Sequence, residues 1–317
     1  MINRTMVRTR VVQTLYAFYK DGDKTATKAR QELRKSFADT YDLYFVLLDF
    51  ANVLTAYAQQ QLEDQATRAR ATHAEWTPNK RFVQNRWAQQ IFDNRALRAR
   101  IAEQHLEWDC GMSAVSDVYR QLIESDFYRA YMDAPDSSYE DDKRIWRQIY
   151  QHLLTDCEAL HDALDEMEVV LDKSNWTVDA DVIISYVIKT IKRFDAESTP
   201  ETPLLEMFDN NEEELFAITL LEKAIEGHER YEQLVNSHLK GWDADRIAYM
   251  DRIILETALA EILEFEEIPM TISMNEYIEL AKEYSGDKSY MFINGILTEI
   301  LRDLKHQGKL FKAETLK

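Results

Sequence analysis

The chain is short of the residues that punctuate a backbone: its 317 residues include 7 glycines and 5 prolines. With so few breakers, the long stretches rich in Ala, Leu, Glu, Gln and Arg read as helices. No β-branched run alternates with polar residues and ends in hairpin-turn residues, so a sheet protein is not expected. Cysteine is as scarce. Cys110 and Cys157 are the only two, and with no signal peptide in view they read as reduced thiols of a cytoplasmic protein. No apolar run reaches the about 18 residues of a membrane span, so no membrane partner is expected. The basic, amphipathic N-terminus runs straight into a core-like helix and reads as structure rather than as a transit peptide.

Catalytic signatures are missing too. There is no glycine-rich dinucleotide loop and no P-loop, and no paired-cysteine or His-Glu-x-x-His motif that would hold zinc. Glu158 and His161 have the helical spacing of carboxylate-bridged di-iron bundles, but such sites need a second copy on another helix. Cys157 and His161 share a helix face as well; the alternative for both pairs is a solvated acidic helix. Nothing local marks a nucleophile. The expectation is a protein without enzymatic activity, cofactor or metal.

What is present is apolar residue at helical spacing, and charge unevenly spread. Hydrophobic residues make up 45% of the chain, enough for a core, and the net charge is −19. Residues 1–100 carry 17 Lys and Arg against 10 Asp and Glu, whereas residues 101–317 carry 21 against 47. A uniform acidic coat would not divide in this way. An anionic partner is therefore expected near the N-terminus, with the remainder repelling it.

The periodicity predicts an all-α chain. A first helix covers 4–19, with Val7, Val11, Leu15 and Phe18 inward and Arg4, Arg8 and Arg10 projecting elsewhere. A short helix is expected over 27–37, a long one over 41–67, and another opening at Pro78 and running to 108. That last one carries Arg81, Arg86, Arg95, Arg98 and Arg100 among Phe82 and Trp87. The chain breaks at Cys110 and Gly111, and Ser113 caps a helix to 131. After a turn at 134–138, helices are expected over 140–171 and 178–194. Residues 195–203, acidic and twice interrupted by proline, form the clearest linker. Helices at 211–239, 243–265, 274–284 and 289–306 complete the chain. The segments after Trp176 and Trp242 look loosely alike, through a duplication or through a shared aspartate-rich start.

The stretch 269–301 is the most specific. Ser273 and Glu276 have capping-box spacing, and Gly286 stands where a left-handed helix stop is wanted. A last helix follows, with Ile293, Ile296, Leu297, Ile300, Leu301 and Leu304 on one stripe. Gly295, early in it, costs about 1 kcal/mol relative to alanine. A close approach to another helix or to a ligand would offset that cost.

Pro269, Asn275-Glu276, Ile278-Glu279-Leu280-Ala281-Lys282 and Phe292-Ile293-Asn294-Gly295-Ile296-Leu297 together resemble the C-terminal motif of the NusB family of bacterial antitermination factors. Arg4, Arg8 and Val12-Gln13-x-Leu15-Tyr16 resemble that family's first helix. The resemblance implies an all-α, NusB-like pair of helical bundles with an additional inserted helical region. It divides the chain into residues 1–20 as the arginine-bearing first helix, 21–205 as an inserted or extended helical region, and 206–317 as the NusB-like core. It also implies a function: non-catalytic binding of boxA-type RNA from ribosomal RNA leaders, together with the ribosomal protein NusE, with the RNA polymerase elongation complex met indirectly. On that reading Arg4, Arg8 and Arg10 meet phosphates, Phe292 stacks on a base and Asn294 reads a base edge. Each has a structural alternative: a solvated helix end, a core phenylalanine, a capping asparagine. Thr5, Met6 and Met291 stand where the family often has basic residues, so the RNA-facing surface looks thinned. The arginines of 81–100 either replace it or pair with the acidic part of the chain. A protein-binding helical scaffold on a NusB frame, without RNA affinity, is the alternative.

Overall fold

The computed structural model describes residues 1–22, 25–71, 77–108, 111–239, 247–286 and 288–310. The expectations that touch Cys110, Trp242 and the start of the helix expected at 243 lie outside these residues. Among the described residues there are helices and no strand. They are α1 (Arg4–Lys20), α2 (Ala26–Ala71), α3 (Arg86–Asp93), α4 (Arg95–Gln104), α5 (Met112–Glu124), α6 (Asp126–Asp133), α7 (Tyr139–Ile149), a π-helical turn (Tyr150–Leu154), α8 (Glu158–Leu171), α9 (Trp176–Arg193), α10 (Asn211–Glu226), α11 (His228–Ser237), α12 (Tyr249–Glu264), α13 (Met270–Tyr284) and α14 (Ser289–His306). None is long and apolar enough to cross a membrane.

The chain divides into two compact units, one made of Met1–Phe37 with Phe208–Lys317, the other of Ala38–Met207. In the first unit α1 packs on α10, α12 and α13, and α14 packs on α11, α12 and α13. Val7, Val11 and Leu15 of α1, Leu220 of α10, Ile254 and Ala258 of α12, Tyr277 of α13 and Ile293 and Leu297 of α14 are all buried there. In the second unit Trp146 meets both Phe82 and Trp87 with tilted rings, centroids 5.3 and 5.7 Å away. Trp176 of α9 donates its indole N–H to the carbonyl of Asp39 at 2.7 Å.

Several helices differ from expectation for local reasons. The separate helices expected at 27–37 and 41–67 are one continuous α2 of 46 residues. The polar residues that suggest a break there are met by tertiary partners. Thr40 donates to Asp179 at 2.8 Å, and the Asp39 carboxylate accepts from Ser174 at 3.0 Å. Conversely, the long helix expected after Pro78 is two. Asn85 caps α3, and Asn94 both ends α3 and caps α4, its Oδ1 accepting from Leu97 N at 3.0 Å. Asparagine competes with the helix for backbone donors, and here it wins. Ser125 does the same between α5 and α6. The cap of α5 is Gly111 rather than Ser113.

The single helix expected at 211–239 is broken at Gly227, where a side chain has no room. A Cβ there would fall 2.3–2.7 Å from the buried ring of Tyr231. At α13 the capping box is not formed. The helix starts at Met270, before Ser273. Gly286 is not left-handed either, since among the described glycines only Gly111 and Gly308 have positive φ. α13 ends instead on an extended Ser285.

Candidate nucleic-acid interface

α1 begins where the Asn3 side chain accepts from Met6 N at 3.0 Å, and its arginines follow at positions 4, 8 and 10. Arg8 is placed inward. Its Nε and Nη2 donate to the two oxygens of Glu261, each at 2.8 Å, and its Nη1 reaches Glu276 at 3.3 Å. This is a fork-on-fork pair, the strongest geometry an arginine and a carboxylate can adopt. Glu261 also accepts from the hydroxyls of Ser273, at 2.6 Å, and Tyr277, at 3.0 Å. Its side chain is fully buried, and four donors from α1 and α13 neutralise and satisfy it. Burial pulls the Arg8 pKa down, but the bond and charge of Glu261 outweigh that, and the net shift is upward. Burial, and then the Glu261 charge, push the Tyr277 phenol well above its ordinary value, so it stays a donor.

The other expected residues scatter. Arg4 is half-buried, with its guanidinium over the Phe216 ring, 5.1 Å from the centroid; Arg8 lies over the same ring at 5.6 Å. Arg10 is buried, and its Nη1 donates to Gln13 at 2.8 Å. Phe292 is buried on the α14 stripe, whereas Asn294 is exposed. Arg4 and Arg8 are thus brought together, and Arg10 turns to a different neighbour. Phe292 and Asn294 point to opposite environments from one helix.

On α14, Met291 (51% exposed), Asn294 and Gly295 form one solvent-facing strip. A Cβ on Gly295 would meet nothing within 4 Å, so of the two offsets expected there, a close approach to another helix is absent among the described residues. The glycine instead bares backbone to whatever lies outside. Leu15 is core, while Tyr16 is half-buried and meets Tyr249 edge-on at 5.5 Å.

Sequence reasoning missed Glu261. It stands in the apolar run of α12, and its only signal was a carboxylate on the buried face of an otherwise aliphatic helix, which calls for a cation elsewhere. The arginines of 81–100 are engaged within their own unit. Arg86 Nε donates to Asp142 at 2.6 Å, Arg100 Nε to Asp42 at 2.7 Å, and Arg98 Nε to the carbonyl of Phe92 at 2.8 Å. Arg95 pairs with Glu201 at 2.9 Å, and Arg81 donates to the carbonyls of Ala134 and Asp136 at 2.6 and 2.8 Å. Among the described residues no group of three or more His, Cys, Asp and Glu is arranged to hold a metal ion.

Residues 180–302 match the model of the NusB family. The transcription antitermination protein NusB of Bacillus pumilus is 36% identical over 121 residues, which is 38% of this chain and 92% of that relative. The chain belongs to the NusB family. The NusB of Bacillus subtilis is 38% identical over 97 residues, 31% of this chain and 74% of the relative. That of Salinibacter ruber is 40% identical over 97 residues, 31% of this chain and 61% of the relative. No solved structure matches. The NusB match opens inside α9 and closes inside α14, so the buried carboxylate Glu261 and the exposed Asn294 lie within it, while α1 and its arginines lie outside.

Proposed function

We propose that this protein is a non-catalytic transcription antitermination factor that binds boxA-type RNA together with the ribosomal protein NusE, and so meets the elongating RNA polymerase indirectly. Membership of the NusB family, whose matched relatives are named as transcription antitermination proteins, carries the reading. The exposed strip of Met291, Asn294 and Gly295 supports it physically. An amide beside bare backbone can offer donors and acceptors to an unpaired base. Arg4, held over Phe216, is the arginine of α1 best placed to meet a phosphate. Arg8 and Arg10 are buried, and on this reading they set the position of α1 while Phe292 sets that of α14.

We further propose that the segment between α1 and the family part is an insertion. The sequence alone suggests 21–205 for it; unit 2 runs to Met207, close to that end, and the family match opens earlier, at residue 180 inside α9. Unit 1 joins the two ends of the chain, as an insertion requires.

The test is anisotropy of labelled boxA-type RNA titrated with the protein and its cognate NusE at low salt. Binding by the pair is expected, weakened by Asn294→Ala and by Arg4→Ala without loss of fold. No complex with NusE at micromolar protein, and no RNA binding by the pair, would sink the reading. The burial of Arg8 and Arg10 favours one second reading, a protein-binding scaffold. Complex formation with NusE but no RNA binding would establish it. The triple alanine variant of Arg4, Arg8 and Arg10 is unsuitable here, because it removes a buried ion pair.

A further inference from the structure

Unit 2 leaves four valines of two neighbouring helices exposed. Val169 and Val170 end α8, and Val178 and Val182 lie one turn apart at the start of α9; they are 84, 68, 60 and 48% exposed. Scattered exposed aliphatics are ordinary, but these four all lie in the last turn of α8 and the first two turns of α9. α8 packs against α9, and four residues join the two helices. The Thr177 hydroxyl donates to Asp165 on the surface between them, and the Trp176 amide donates to Glu168. Both valine pairs therefore sit at the same end of one helical hairpin. Valine is also a poor choice for an exposed helix position, where alanine, lysine or glutamate would stabilise the helix more.

The surroundings are acidic and uncompensated. α8 carries Glu158, Asp162, Asp165, Glu166 and Glu168 and no Lys or Arg. Elsewhere in the unit carboxylates have cations: Asp142 has Arg86, and Asp42 has Arg100 and Lys173. Asp162 and Glu166, both exposed, form no ion pair with any described residue. Lys173, the cation nearest in sequence, is turned inward to Asp39 and Asp42 at 3.6 and 2.8 Å.

We propose that the α8–α9 hairpin is a docking surface for a basic amphipathic helix of a protein partner. The partner's apolar side chains cover Val169, Val170, Val178 and Val182, and its lysines or arginines meet Asp162 and Glu166. Charge complementarity selects this occupant: the carboxylates repel RNA phosphates and anionic lipid, and they repel a second copy of the same acidic hairpin. The surface lies apart from the family match along α8 and enters it only within α9. It is independent of the antitermination reading.

The experiment uses the full chain and a fluorescein-labelled helical peptide of leucine and lysine. A scrambled peptide of the same composition, with no apolar face, is the control. Micromolar binding of the amphipathic peptide is expected, at least about tenfold tighter than the scrambled one. Replacing the four valines by serine should weaken binding about tenfold with the thermal melt unchanged. A milder Val169→Thr/Val178→Thr variant serves if the fourfold change disturbs folding. Asp162→Asn/Glu166→Gln should weaken binding and flatten its salt dependence. Equal binding of both peptides, or unchanged binding by the folded valine variants, overturns the proposal. So does a dimer of the wild-type chain in sedimentation that the valine variants abolish, since a second copy would then be the occupant.

Discussion

Arg8 and Glu261, 253 positions apart in the chain, face each other as a bidentate ion pair inside unit 1. Removing one partner leaves the other charged and buried, and Arg8→Ala or Glu261→Leu is expected to cost about 3–5 kcal/mol. Glu261→Leu also strands the hydroxyls of Ser273 and Tyr277. The double variant Arg8→Met/Glu261→Leu should recover part of the loss, because it buries no lone charge. Urea unfolding of the three variants checks this; single variants within about 1 kcal/mol of wild type would show that the pair is not buried in solution.

Gly295→Ala should stabilise the free protein by about 0.5–1 kcal/mol, since the helix gains propensity and the new methyl meets open space. The thermal midpoint reports it. A fall in that midpoint would mean that α14 is covered at Gly295.

The same substitution at Gly227 should act in the opposite direction. Its methyl would fall 2.3–2.7 Å from the side chain of Tyr231, which is 1% exposed and would have to shift. Gly227→Ala is expected to destabilise by about 1–3 kcal/mol through overpacking. Combination with Tyr231→Leu, which vacates the ring, should relieve most of the loss in denaturant titrations.

Glu256 gives unit 1 a pH dependence. Burial raises its pKa, and the bond from His228 at 2.7 Å only partly opposes that. The charges acting on it are His228 and Arg252, which favour ionisation, and Glu232, which opposes it. For a raised pKa, the stabilising contribution is complete below the carboxyl's unfolded value. It is lost as pH climbs through the higher folded value. Stability of the wild type relative to Glu256→Gln should therefore decline as pH rises from 4.5, the ordinary glutamate value, toward neutrality. Chemical unfolding across that range tests the sign, and a rising difference would contradict it.

The positions of the helices were largely legible because helical periodicity is a local property. α1, α9 and α14 lie within two residues of where their apolar stripes put them. The breaks were not. Asn85, Asn94 and Ser125 are permissible inside helices, and only their capping bonds reveal that they end them. Asp39 and Thr40 looked like a break and are not, because Ser174 and Asp179 satisfy them. At the site the limit was the same. The sequence shows that Arg4, Arg8 and Arg10 are cations on a helix start. It cannot show that Glu261 captures Arg8 and that Gln13 holds Arg10, since those depend on a side chain's neighbours rather than its spacing. Asn294 was legible as exposed, because it falls off the aliphatic stripe of α14.

The partner of Arg8 imposes an order on the birth of the molecule. Arg8 of α1 is made 253 residues before the carboxylate that receives it, a wait of order tens of seconds at about 5–20 residues per second. Unit 2, encoded without interruption by Ala38–Met207, is synthesised whole in the interval. The chain's first helix is thus among the last to find its place, and until then a cationic, amphipathic segment stands unclaimed beside the ribosome's own RNA.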